Sequence, residues 1–153
     1  EGMGTTLVVA TIIGKSIYIA NVGDSRLYLV NNEIQQITRD HSLVEEMISL
    51  GEIDRKSART HEKKNIITRA VGVDTEVVAD FFEVDYVDGD IILMCSDGLS
   101  NMIEDEDIKN IINQGNDLPE ITDNLITEAN KNGGRDNISV ILVQPDYEEV
   151  KEC

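Results

Sequence analysis

Three carboxylates stand where the chain turns beside glycine or asparagine: Asp24 in Gly23-Asp24-Ser25, Asp97 in Ser96-Asp97-Gly98, and Asp136 in Gly133-Gly134-Arg135-Asp136-Asn137. Aspartate supplies hard oxygen donors. Cations such as Mg2+ and Mn2+ take one or two carboxylates and keep water in the remaining positions. Carboxylates gathered without such a cation repel one another. Spacing alone does not bring these three together, and each has a plainer reading. Asp-Gly is a common turn, and Asp97 equally suits a cap on the segment that follows it.

The elements that must position these carboxylates are short. Ile91 to Cys95 is an unbroken apolar run between turn formers. It suits a strand buried on both faces, although periodicity alone also allows a buried helical segment. A carboxylate at the end of such a strand is held rigidly, and Gly98 lets the backbone turn beside it. Earlier in the chain, Thr5 to Ile13 reads as a β-branched strand, Gly14-Lys15 as a hairpin and Ser16 to Val22 as the returning strand. Arg26 to Val30, the Asn31-Asn32 turn and Glu33 to Ile37 extend these into an expected antiparallel meander. Weak alternation in Leu7 to Ala10 predicts burial on both faces there.

Ser42-Leu43-Val44-Glu45 has capping-box spacing, and Gly51 ends the helix it opens. Residues 52–65 are polar and aperiodic, and are expected to be loop. Ile66 to Val71 and Val77 to Val84 read as strands. Glu104 to Asn113 reads as a helix whose acidic start suits the positive end of its dipole. Leu118 to Lys131 is a second helix with Pro119 in its first turn, and Ile138 to Val143 a last strand.

Length and composition narrow the class. At 153 residues the chain is one domain, with 41% apolar residues to build a core. No apolar run approaches a membrane span, and no signal peptide is visible. A net charge of −17 argues against a nucleic-acid surface and allows a cation-binding one. Cys95 and Cys153 make no disulfide framework, which points to a reducing, cytoplasmic setting. Five of the thirteen Lys and Arg residues, Arg55, Lys56, Arg59, Lys63 and Lys64, fall within 52–65. That segment is either a solvated excursion or a surface that meets an anionic substrate. His41 and His61 lack ligand spacing and read as ordinary loop or core residues, Cys95 reads as a small hydrophobe, and Asp40 and Asp74 read as turn residues.

Six motifs occur in order: Gly4-Thr5-Thr6, Ala20-Asn21-Val22-Gly23-Asp24-Ser25-Arg26, Thr38-Arg39-Asp40-His41-Ser42, Ile67-Thr68-Arg69-Ala70-Val71-Gly72, Cys95-Ser96-Asp97-Gly98-Leu99 and Gly134-Arg135-Asp136-Asn137-Ile138-Ser139. Together they resemble the metal-dependent serine/threonine protein phosphatases (PPM, type 2C), in particular their compact bacterial branch. Any one motif is weak; the ordered set is specific and runs from Gly4 to Val143.

The resemblance implies an α+β fold, a four-layer α-β-β-α sandwich of antiparallel sheets with metals in a cleft at one end. It implies Mn2+ or Mg2+, two or three ions in the complete enzyme, and a metal-bridging water that attacks phosphoserine or phosphothreonine. Asp97 and Asp136 correspond to ligands of the paired site, and Asp24 to a third, weaker position that Asp97 also serves. No further catalytic side chain is assigned. The basic segment takes the place of the family's flap, with Arg59, Lys63 and Lys64 as substrate-binding candidates. Expected partners are phosphorylated proteins, a serine/threonine kinase among them, with no nucleic acid and no membrane span.

The family's phosphate-binding arginine and its Asp-Gly-x-Gly-Gly motif, which precede the Gly-Thr-Thr segment, have no counterpart here. Residues 1–145 are therefore expected to be the C-terminal portion of a catalytic domain, an incomplete sandwich with its first strands and helices absent. Residues 146–153 are expected to be an acidic tail. The chain alone is expected to be inactive and prone to self-association. A non-catalytic binding module with a degenerate phosphatase fold is the alternative.

Overall fold

The computed structural model describes residues 2–146; Cys153 and the expected acidic tail beyond 146 lie outside them. Strands β1 (Leu7–Ile13) and β2 (Ser16–Val22) form a hairpin, and β5 (Asp80–Asp85) pairs with the far edge of β2. Strands β3 (Arg26–Val30) and β4 (Ile34–Gln36) form a second hairpin, extended by β6 (Ile91–Cys95) and β7 (Val140–Val143). Both sheets are wholly antiparallel, with orders β1-β2-β5 and β4-β3-β6-β7. Helices α1 (Leu43–Ser49), α2 (Arg55–Thr60), α3 (Asp97–Ser100), α4 (Asp105–Gln114) and α5 (Leu118–Lys131) complete the structure.

The period of two along each strand decides which layer a side chain joins. Ile17 and Ile19 of β2 face Leu27 of β3 and Ile92 of β6, and make the core between the sheets with Val8, Phe82, Val84 and Met94. Tyr28, Leu93 and Cys95 point the other way, against Ile108 and Ile112 of α4 and Ile121 and Leu125 of α5. Strand β6 is thus buried on both faces, as its apolar run predicts. The third face differs. Val9, Tyr18 and Phe81 on the outside of the three-stranded sheet are 44%, 42% and 79% exposed, so the described residues build three layers of the sandwich.

Four expectations change. The first four strands are not a single meander, because β2 and β3 lie in different sheets and the Gly23-Asp24-Ser25 turn crosses between them. Leu7 to Ala10 is buried on one face only: Val8 and Ala10 pack inward while Leu7 and Val9 are exposed. Within 52–65 the chain forms α2, whose Asp54 side chain accepts from the Ser57 N–H at 2.7 Å. Ile66 to Val71 makes only two isolated bridges, Ser42 with Ile67 and Thr5 with Val71, because no neighbouring strand runs beside it.

Candidate metal and phosphate cleft

Asp24 sits in the crossing between sheets. Gly23 before it has φ +108°, a conformation open to glycine, and a Cβ there would lie 2.4 Å from Thr6 Cγ2. The Thr6 and Ser25 hydroxyls share a hydrogen bond of 2.9 Å on the other side of the turn. Partial burial and the nearby charge of Asp97 push the Asp24 carboxyl up to about 6.

Asp97 opens α3 directly after β6. Its strand is zipped to the segment carrying Asp136: the Ser96 N–H donates to the Ser139 carbonyl at 3.1 Å. The Ser96 hydroxyl donates to the Asn137 carbonyl at 3.1 Å and accepts from the Ser139 N–H at 3.0 Å. A Cβ on Gly98 would come within 2.2 Å of the Asn137 carbonyl oxygen, so the two backbones touch beside the carboxylates. Asn101 Nδ2 donates to Asp97 Oδ2 at 3.2 Å. Burial first, and then the charge of Asp136, raise the Asp97 carboxyl above its ordinary range. Asp97 therefore feels both of the other two carboxylates.

Between the sheets' ends and α2 lies a cavity of about 650 Å3, walled by Asp24, Asp97, Arg26, Asp40, Arg55 and Lys64 among others. Asp136 is exposed and is not part of this wall. Asp40 is more than the turn residue its sequence context suggests. Arg26 grips it with Nε at 2.9 and 3.0 Å and Nη2 at 2.7 Å, and both side chains are mostly buried. Arg26 also donates from Nη1 to the Tyr28 hydroxyl at 2.8 Å, and Gln36 donates to Asp40 at 3.0 Å. The sequence signal for this pair was present in Gly23-Asp24-Ser25-Arg26 and Arg39-Asp40-His41, but pairing across fourteen residues is not visible as spacing.

The three basic candidates part company. Arg59 donates from Nη2 to the carbonyls of Ser100 at 3.2 Å and Ile103 at 3.1 Å, while its Nε lies 2.8 Å from Glu104 Oε1. Its guanidinium clasps α2 to the end of α3. Arg59 and Lys64 both line the cavity, and Lys63 is exposed outside it. Arg55, another of the five basic residues expected to meet an anionic substrate, lies 3.3 Å from Glu45 in the same wall.

The donors suit a hard dication: carboxylate oxygens, two sets of them half-buried and each raised by a neighbour's negative charge. Among the described residues no three His, Cys, Asp or Glu side chains converge tightly enough to enclose an ion by themselves. A dication held here keeps water or other ligands in its shell.

Residues 1–47 match the family described as Protein phosphatase 2C. The serine/threonine phosphatase stp of Listeria welshimeri is 48% identical over 145 residues, 94% of this chain and 58% of that protein. Over nearly its whole length the chain is similar to bacterial PPM, or type 2C, phosphatases. The PPM fold extends through the described structure. The phosphatase Stp1 from Staphylococcus aureus superposes with a TM-score of 0.92 at 39% identity, covering 95% of this chain and 58% of that one. The catalytic domain of the serine/threonine protein phosphatase PstP, solved in complex with two manganese ions, gives a TM-score of 0.82 at 35% identity and covers 93% of this chain and 59% of that one. The chain thus spans less than two thirds of the length of these PPM relatives.

Proposed function

We propose that this chain supplies part of the active cleft of a metal-dependent protein phosphatase acting on phosphoserine and phosphothreonine. The observation that carries the proposal is the charge crowding at half-buried Asp24 and Asp97, by Asp97 on the first and Asp136 on the second, in a cleft that Arg55, Lys56, Arg59 and Lys64 also line. Asp97 and Asp136 would hold the paired divalent site, and Asp24 with Asp97 a third position. Bound Mn2+ or Mg2+ supplies Lewis acidity and a water acidified toward neutral pH.

The protein's own contribution is placement and field. The Ser96–Asn137–Ser139 contacts fix the two segments that carry Asp97 and Asp136. Lys64 and Arg55 face the cavity from α2 and the turn after it, where they attract a phosphorylated protein segment. A serine/threonine kinase is proposed among the substrates. The matched relatives extend well beyond the span of this chain, which supports a further proposal: residues 1–153 alone turn over phosphothreonine peptides slowly. The bare face of Val9, Tyr18 and Phe81 supports self-association of the chain when isolated.

The test is Asp97→Asn in the full-length gene product. A neutral amide is a poorer ligand for a hard dication, so activity on a phosphothreonine peptide should fall at least about a hundredfold and Mn2+ binding should weaken with it. Unchanged turnover at saturating Mn2+ removes the assignment. Tight phosphopeptide binding without turnover in the unaltered protein favours the non-catalytic binding module instead.

A further inference from the structure

His41 is a buried titratable group beside the Asp24 turn; its Nδ1 is engaged by a hydrogen bond, and its Nε2 meets a carboxylate without hydrogen-bond geometry. Its side chain is 5% exposed. Nδ1 accepts a hydrogen bond from the Gly23 N–H at 3.0 Å. The backbone N–H of the same residue donates to the Gly23 carbonyl oxygen at 2.9 Å. One residue therefore brackets both peptide groups of Gly23, and Asp24 is the next residue in the chain. Asn21, fully buried, adds a donor to the Gly23 carbonyl at 3.3 Å and another to the Arg39 carbonyl at 3.0 Å.

Accepting at Nδ1 requires the imidazole proton to sit on Nε2 when the ring is neutral. That nitrogen lies 3.1 Å from Asp80 Oδ2, and Arg69 Nη1 donates to Asp80 Oδ1 at 2.8 Å. Asp80 begins β5, which pairs with β2 where Asn21 stands opposite it. Arg69 also holds the Val78 carbonyl at 3.1 Å, so the loop entering β5 is anchored as well.

We propose that His41 is a positioning residue for Asp24: its Nδ1 fixes the Gly23 peptide, and Asp80 with Arg69 keeps the proton on Nε2. The loop before α1, the start of β5 and the crossing between sheets thereby act as one unit, and Asp24 is presented to the cleft at a set angle. The Mn2+ arm of this proposal rests on the phosphatase reading; the Gly23 arm does not.

Two substitutions separate the roles, because the Oδ1 of asparagine falls near the place of Nδ1 whereas glutamine reaches the place of Nε2. In the full-length gene product, His41→Gln should weaken the Asp24-dependent step of a Mn2+ titration by about tenfold or more, the scale seen when a group orienting a ligand is lost. The Gly23 amide should exchange with solvent about tenfold or more faster in the same variant. His41→Asn should keep both within about threefold of the unaltered protein, because the acceptor for the Gly23 N–H is preserved. Should His41→Gln not fold, nitrogen chemical shifts of the unaltered protein decide the matter: a proton on Nε2 and a bare Nδ1 are expected. A neutral ring protonated on Nδ1 overturns the proposal, as does equal behaviour of the two variants. If Asp24→Asn leaves Mn2+ binding unchanged, the metal role of Asp24 fails, and the Gly23 amide still tests His41.

Discussion

The two walls of the cleft are built on different principles. The acidic wall hangs from main chain: Asp24 and Asp97 follow the last residues of β2 and β6, and backbone contacts beside Gly23 and Gly98 set where they stand. The basic wall hangs from side chains: α2 has six residues and is held by Arg59 reaching two carbonyls and Arg55 reaching Glu45. Long side chains lose more entropy on ordering and rearrange on smaller energies than strand ends do. The acidic wall is accordingly the fixed side and the basic wall the adjustable one. Arg26 and Asp40 also line the cavity, as a mutually paired cation and anion.

That contrast can be tested by size of effect. The largest belongs to this pair: Arg26→Ala strips a mostly buried Asp40 of its partner, and urea unfolding should show a loss of about 3–5 kcal/mol. An effect within about 0.5 kcal/mol would mean that Asp40 finds another partner or water.

The acidic wall should respond to pH when EDTA removes divalent ions. The Asp24 carboxyl is pushed up to about 6 in the folded chain from 3.8, so folding binds the proton more tightly than unfolding does. Stability is then full below pH 4 on account of this group and declines as pH rises through 6. Asp24→Asn should therefore stabilise the EDTA-treated protein at pH 8 by about 1–2 kcal/mol, after discounting for its partial exposure. The gain should vanish at pH 4. Destabilisation at pH 8 would show that the carboxylate is not crowded there.

On the basic wall, Arg59→Ala removes the clasp and should lower stability by about 1–2 kcal/mol, with faster proteolysis between residues 52 and 65. The smallest effect is kinetic. Lys64→Ser should raise KM for an acidic phosphopeptide by about threefold and blunt its salt dependence, while Lys63→Ser changes it less. Neither should move stability by more than about 0.5 kcal/mol. Equal shifts for Lys63 and Lys64 would detach the effect from the cavity wall.

Much of the scaffold was legible because turns carry their own chemistry. The strand bounds Ser16–Val22 and Arg26–Val30 and the helix Leu118–Lys131 follow from turn residues and apolar spacing. Sheet membership was not legible, since β2 and β3 are separated by three residues in either arrangement and only tertiary packing sends them apart. Helix α2 was missed because five polar residues around the single alanine Ala58 carry no periodicity; its one local signal was Asp54 three residues before Ser57. In the site, Asp24 and Asp97 could be singled out by type and position. Arg59 could not be told from Lys64, because two cations that line one cavity look alike in sequence even when one of them is spent on carbonyls.

The contact between Gly98 and the Asn137 carbonyl gives that position an unusual place in the protein's mutational history. Glycine and alanine codons differ by a single base, so replacement by alanine is one step away for the gene. Here that change inserts a methyl group into a gap of 2.2 Å and drives apart two segments thirty-nine residues distant along the chain. Drift is therefore closed at position 98 even to the smallest side chain. In a library of all single variants, it should tolerate fewer residues than the apolar positions of either core.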